Sequence, residues 1–156
     1  MSKLWIAALA AAFWSLAAVA QQPSIMVVAD AWVRALPPTQ TNTAAYVTVT
    51  NPGKAAIVIT AASTGLAQQV QIHRTREIEG YMRMEQLQNL PVAPGESVQL
   101  APGGTHLMLL GLARMPMPGE TVRFCLELAT GEEVCTDAPV RKSAAAKNPR
   151  EQHQHH

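Results

Sequence analysis

The chain has 156 residues and a mass of 16.7 kDa, the size of one ordinary domain. Apolar residues make up 48% and charged ones only 15%, which excludes a disordered chain and a charge-laced coiled coil. Twelve basic against eleven acidic side chains leave a formal charge of +1, too balanced for the electrostatic footprint of a nucleic-acid binder.

In chain order, residues 1–20 read as a secretory signal peptide. Lys3 supplies the basic start, Leu4 to Val19 is apolar except for Ser15, and Ala18-Val19-Ala20 offers a small-x-small cleavage site. The apolar run is shorter than the roughly 20 residues of a spanning helix, so a stable membrane anchor after cleavage is not expected. No Arg pair precedes the run, which points to the general secretory route and the periplasm.

Residues 21–140 read as a single all-β domain, a sandwich or Greek-key barrel of roughly seven to nine strands. Ala44 to Thr50 alternates apolar and polar, Asn51-Pro52-Gly53 supplies turn chemistry, and Lys54 to Ala62 is expected to return as the second arm of a hairpin. Gln69 to Thr75 and Tyr81 to Leu87 form a second predicted hairpin, closed by the loop Glu77-Ile78-Glu79-Gly80. Pro91 to Gly95 and Pro102-Gly103-Gly104 are breaks that no helix accommodates. A strand carrying His106 and Met108 follows, and then the turn-like segment Met115-Pro116-Met117.

A last predicted hairpin is centred on Thr130, which sets Cys125 opposite Cys135. Opposed Cα atoms about 4.5 Å apart lie near the lower limit for a disulfide. Outside the cytosol a structural cross-strand bridge is the favoured reading, and a reduced pair binding a soft metal stays open. Residues 141–156 are polar and read as a flexible tail ending in His153, His155 and His156.

The chemistry lies in the histidines and methionines. Only His73 and His106 fall in the folded region, and five of the seven Met lie between positions 82 and 117. In the predicted register His73 faces Met84, with Met82 on the same face; His106 and Met108 share a face of a later strand. A sheet that joins these segments converges two imidazoles and two thioethers. Soft, uncharged thioether with imidazole selects Cu(I), whereas zinc favours thiolate, imidazole or carboxylate. Met82 is a supporting candidate, either substituting for Met84 or assisting it.

Ten residues separate His73 from Met84, twenty-one separate Met84 from His106, and one lies between His106 and Met108. This H-x10-M-x21-H-x-M pattern resembles that of the periplasmic copper chaperones called the PCuAC family. Asp30-Ala31-Trp32-Val33-Arg34, Pro37-Pro38, Ala44-Ala45-Tyr46, Asn51-Pro52-Gly53 and Pro102 to Leu109 are similar to that family as well. The resemblance covers about residues 29–140.

The resemblance implies a cupredoxin-like β-sandwich that binds one Cu(I) through His73, Met84, His106 and Met108. It further implies delivery to a copper-accepting protein, the dinuclear copper centre of cytochrome c oxidase subunit II or another periplasmic carrier. Two departures stand out. Arg74-Thr75 replaces a second methionine that many members carry after the first histidine, and the tail holds His153, His155 and His156 without Met. That tail is read two ways, as a weak Cu(II) site or as a chance polar end.

Other classes fit less well. A blue-copper protein needs a Cys ligand near His and Met, and no His follows Cys125 or Cys135 before the tail. A hydrolase needs a nucleophile, base and orienting group, which two folded histidines and no glycine-elbow Ser do not supply, so no enzyme is expected. The remaining alternative is a periplasmic copper-sequestering or resistance protein, or a protein-binding β-sandwich that delivers no copper.

Overall fold

The computed structural model describes residues 26–142. They form ten strands: β1 (Val27–Arg34), β2 (Thr43–Thr50), β3 (Ile57–Thr64), β4 (Ala67–Ile78), β5 (Tyr81–Leu87), β6 (Leu90–Val92), β7 (Ser97–Leu100), β8 (Thr105–Leu112), β9 (Thr121–Leu128) and β10 (Glu133–Arg141). The fold is all-β, a cupredoxin-like sandwich, and among the described residues no helix is long and apolar enough to cross a membrane.

The strands run in the order β5-β4-β8-β2-β1-β10-β9-β3-β6, with β7 paired to β2. Strand β10 links the two sheets. Its residues Glu133–Pro139 pair antiparallel with β9, whereas Val140 and Arg141 run parallel to Val33 and Arg34 of β1. The core fills from both sides: Val33, Val47, Val49, Leu107 and Leu109 meet Ile59, Val92, Phe124, Leu126 and Leu128. Each such burial is worth roughly 1.5–3 kcal/mol in apolar transfer. Period-2 alternation does the sorting. In β9, Val122, Phe124, Leu126 and Leu128 are buried while Arg123 and Glu127 are exposed.

The expected hairpin between the second and third strands does not form. β2 pairs with β1, β7 and β8, whereas β3 pairs with β6 and β9 in the opposite sheet. Asn51 explains the crossing. Its buried side chain donates to Ala55 O (2.8 Å) and Val92 O (3.0 Å) and accepts from Gly53 N (3.0 Å), pinning the connection to the second sheet. A tight hairpin turn needs no such anchor.

The cysteine hairpin is symmetric about Thr130, with Cys125 directly opposite Cys135. The two sulfurs are bonded, and the Cα atoms stand 3.9 Å apart. Glu133 lies beside the sulfurs, but with both spent in the disulfide this cluster offers no thiolate to a metal. Residues 1–20 and the tail histidines His153, His155 and His156 lie outside the described residues.

Candidate metal centre

The twelve-residue β4 is the backbone of the site, paired with β8 on one side and β5 on the other. On the β8 side His73 stands opposite His106, and Gln71 opposite Met108. On the β5 side His73 stands opposite Gln86, Thr75 opposite Met84 and Glu77 opposite Met82. Alternation puts all of these on the outward face, since Ile72, Leu107 and Leu109 between them are buried in the core.

The register on β5 differs from the expected one. His73 faces Gln86 rather than Met84, because the loop is a two-residue turn, Glu79-Gly80, and not four residues. Both turn residues have positive φ, 53° and 80°, the backbone of a type I′ hairpin. The slip is two residues, so the faces are unchanged: Met84 lies diagonally beside His73, within reach of a long side chain. Met82 lies one step farther along the same face. Both sulfur-bearing side chains are open, Met84 54% exposed and Met82 62%.

The two imidazoles are held differently. His106 is only 6% exposed, and its Nδ1–H donates to Gly104 O (3.0 Å), which also accepts from Thr75 N (3.2 Å). The Pro102-Gly103-Gly104 turn presents that carbonyl, with Gly103 at φ 82°. The bond fixes the tautomer and leaves Nε2 of His106 with its lone pair and no partner among the described residues. His73 is the mirror case. Its Nε2–H donates to Gln71 Oε1 (2.8 Å), and its Nδ1 is buried without a hydrogen-bond partner among the described residues.

The ring centroids lie 5.9 Å apart, edge to face. Burial, and secondarily the neighbouring His106, hold the His73 imidazole below its ordinary 6.5, which favours the neutral form that ligates metal. A buried orphan nitrogen is costly unless something binds it. Two imidazole nitrogens without hydrogen-bond partners among the described residues, flanked by Met84 and Met108, fit a soft monovalent cation.

Beyond His106 the face continues into aromatic residues. Tyr46 on β2 lies 6.4 Å from His106 and 4.4 Å from Trp32 on β1, centroid to centroid. A bulge between Ala29 and Trp32, with Asp30 at φ 52°, sets Trp32 opposite Tyr46. Burial raises the Tyr46 hydroxyl above its ordinary value, with Arg34 pulling the other way. The remaining basic and methionine residues near the sequence motif lie elsewhere. Arg83 pairs with Arg76 on the opposite face, Arg114 is bound to Glu120, and Met115 is buried in the core. Gln71, Gly104 and Tyr46 are the residues that motif spacing alone does not single out. Gln71 was findable, standing two residues before His73 and hence on its face.

Residues 26–140 match the model of the LpqE-like family, described after a lipoprotein. The chain belongs to this family. A Leifsonia xyli subsp. xyli protein, Lxx21020, whose name provisionally classes it as a lipoprotein, is 29% identical over 120 residues, 76% of this chain and 71% of that one.

Apo-DR1885 from Deinococcus radiodurans is 31% identical, with a TM-score of 0.59 over 92% of this chain and 97% of the other. DR1885 has also been solved in a Cu(I) form, which is 32% identical with a TM-score of 0.55 over 79% of this chain and 82% of the other. The copper-bound PCuAC domain from PmoF2 shares the fold at 22% identity and a TM-score of 0.62, covering 74% of this chain and 92% of that domain.

Proposed function

We propose that this protein is a periplasmic chaperone that binds one Cu(I) through His73, Met84, His106 and Met108 and passes it to a copper-accepting protein. The observation that carries the reading is the orphaned Nδ1 of His73 beside His106, on a face flanked by two thioethers. The copper-bound relatives support the choice of cargo. The leader 1–20 is removed after Ala20; the tail expected from Arg141 onward begins later, because Arg141 still belongs to β10, and His153, His155 and His156 beyond it make a weak second site for Cu(II).

Hand-off needs no catalysis. The imidazoles are anchored by Gln71 and Gly104, and imidazole and thioether are both uncharged as ligands, so they hold the cation without a charge that would trap it. Met84 is more than half exposed at the sheet edge, which opens that side of the site to an incoming ligand. An acceptor's thiolates, softer and charged, displace the thioethers first and the imidazoles last. The proposed acceptor is the dinuclear copper centre of cytochrome c oxidase subunit II.

The test is transfer. Protein loaded with one Cu(I) is mixed anaerobically with the apo copper domain of subunit II, and copper is followed in each after separation. Movement of copper to the acceptor is expected. Copper retained by this protein, together with copper sensitivity and normal oxidase in a deletion strain, would identify a sequestering protein instead.

A further inference from the structure

We infer that Arg34 and Arg141 form a carboxylate-binding site that docks an acidic segment of the protein exchanging copper with this one; the copper part of that statement rests on the function proposed above. The two residues are register partners on parallel strands β1 and β10, so their Cα atoms stand about 5 Å apart and their side chains leave the same face. Each guanidinium lies over an aromatic ring, Arg34 at 5.6 Å from the Tyr46 centroid and Arg141 at 5.3 Å from that of Trp32. The rings themselves pack against each other at a 32° tilt and are buried, which fixes the platform. Two planar cations are thus held side by side with little freedom left to lose on binding.

Neither cation is neutralised within the described residues. Acidic side chains pair instead with other cations, as in Arg76–Glu85, Arg114–Glu120 and Arg123–Asp137. The carboxylates nearest in sequence do not serve: Asp137 binds Arg123, and Asp30 sits at the bulge without an ion pair. Both Nε atoms are buried without a hydrogen-bond partner among the described residues. Like charges this close repel unless an anion lies between them, and forked guanidinium donors match a carboxylate in particular.

Position supplies the partner class. Arg34 on β1 and Arg141 on β10 lie two and three strands from β8, roughly 10–15 Å from His106 on the same outward face. A standard interface covers about 800 Å² per partner, enough to span both features. Trp, Tyr and Arg are the side chains that anchor such interfaces. Two cations are too few to track a phosphate backbone, which favours a polypeptide carboxylate over a nucleic acid.

The probe is a ten-residue poly-glutamate peptide, with poly-glutamine as its uncharged counterpart, titrated at low salt against the metal-free protein. The Nε–H resonances of Arg34 and Arg141 are followed by NMR. Saturable shifts at both arginines with poly-glutamate alone are expected, weakening steeply as salt is added. R34Q/R141Q should bind about tenfold or more weakly, whereas R123Q should bind like the parent.

R34K/R141K keeps both charges without the forked donors and is expected to fall between parent and R34Q/R141Q. It decides the question if the glutamine variant is unfolded. Equal affinity of the parent and the variants, or full displacement of the peptide by an equal concentration of inorganic phosphate, would overturn the proposal. Cu(I) stoichiometry of R34Q/R141Q is measured alongside. One equivalent retained with docking lost separates this site from the copper reading, and copper lost in the parent itself sinks that reading while leaving the carboxylate titration interpretable.

Discussion

His73 and His106 stand directly opposite each other across the β4–β8 ladder, with ring centroids 5.9 Å apart, and their hydrogen bonds run to unrelated partners. His106 spends Nδ1 on Gly104, whereas His73 spends Nε2 on Gln71. The nitrogens left over are therefore of different kinds, Nε2 on one ring and Nδ1 on the other. That asymmetry makes Gln71 and the Gly103-Gly104 turn part of the site although neither offers a soft donor.

Gln71 is the sharper test of this arrangement. Gln71→Leu removes the acceptor that fixes the His73 tautomer without touching a ligand. The expected loss is about 10–100-fold in Cu(I) affinity, the range typical of partners that orient metal-bound histidines. The nitrogen chemical shifts of the His73 ring should report a mixed tautomer in the metal-free variant. An unchanged tautomer with unchanged affinity would remove Gln71 from the account.

Met84 and Met82 share a face and differ by one step along β5. Leu matches Met closely in volume, so substitution removes sulfur with little disturbance. Met84→Leu should weaken Cu(I) binding by about tenfold or more, and Met82→Leu by less than about threefold. Chelator competition on the two variants checks the order. The reverse order would make Met82 the ligand and shift the site toward the hairpin tip.

The disulfide belongs to stability rather than to copper. It closes a short loop across β9 and β10, in the sheet away from the histidines. Cys125→Ser with Cys135→Ser is expected to cost about 2–3 kcal/mol, the loop-closure entropy for a ten-residue separation. Urea unfolding measures the cost, and one equivalent of Cu(I) should still bind. A halved stoichiometry would instead make the cysteines a metal site.

Acid should weaken the loop after β8. Arg114 donates to both oxygens of Glu120, at 3.1 and 2.9 Å, and Met117 N donates at 3.0 Å, which holds the carboxyl below its ordinary 4.5. A depressed carboxyl stabilises the fold fully above 4.5, and that contribution is lost as pH falls through the lower folded value. The stability advantage of the parent over Glu120→Gln, measured by unfolding at several pH values, should therefore shrink below 4.5 and not above it. The group is exposed, so added salt should reduce the advantage too.

Much of this was readable from residues alone. Ala44 to Thr50 alternates so cleanly that β2 follows from its pattern, and the spacing of His73, Met84, His106 and Met108 survives a wrong register, because a two-residue slip preserves faces. The slip itself was hidden because Glu-Gly is not a usual type I′ pair, and only the two positive φ values reveal the tight turn. The hairpin expected at Asn51-Pro52-Gly53 failed for a different reason. Turn chemistry says that the chain reverses, not which sheet it enters, and here a buried Asn51 reaching Val92, 41 residues away, decides. Pairings between distant strands, such as Arg34 with Arg141, leave no local trace in the sequence.

The most direct measurement is an anaerobic Cu(I) competition titration with a chromogenic chelator, on the protein lacking residues 151–156 and on the same protein with His106→Ala and Met108→Ala. One equivalent bound by the parent and largely lost in the double variant, with both folded by circular dichroism, is the predicted result. Equal binding by the two, or binding by neither, would contradict a copper site built on His73, Met84, His106 and Met108.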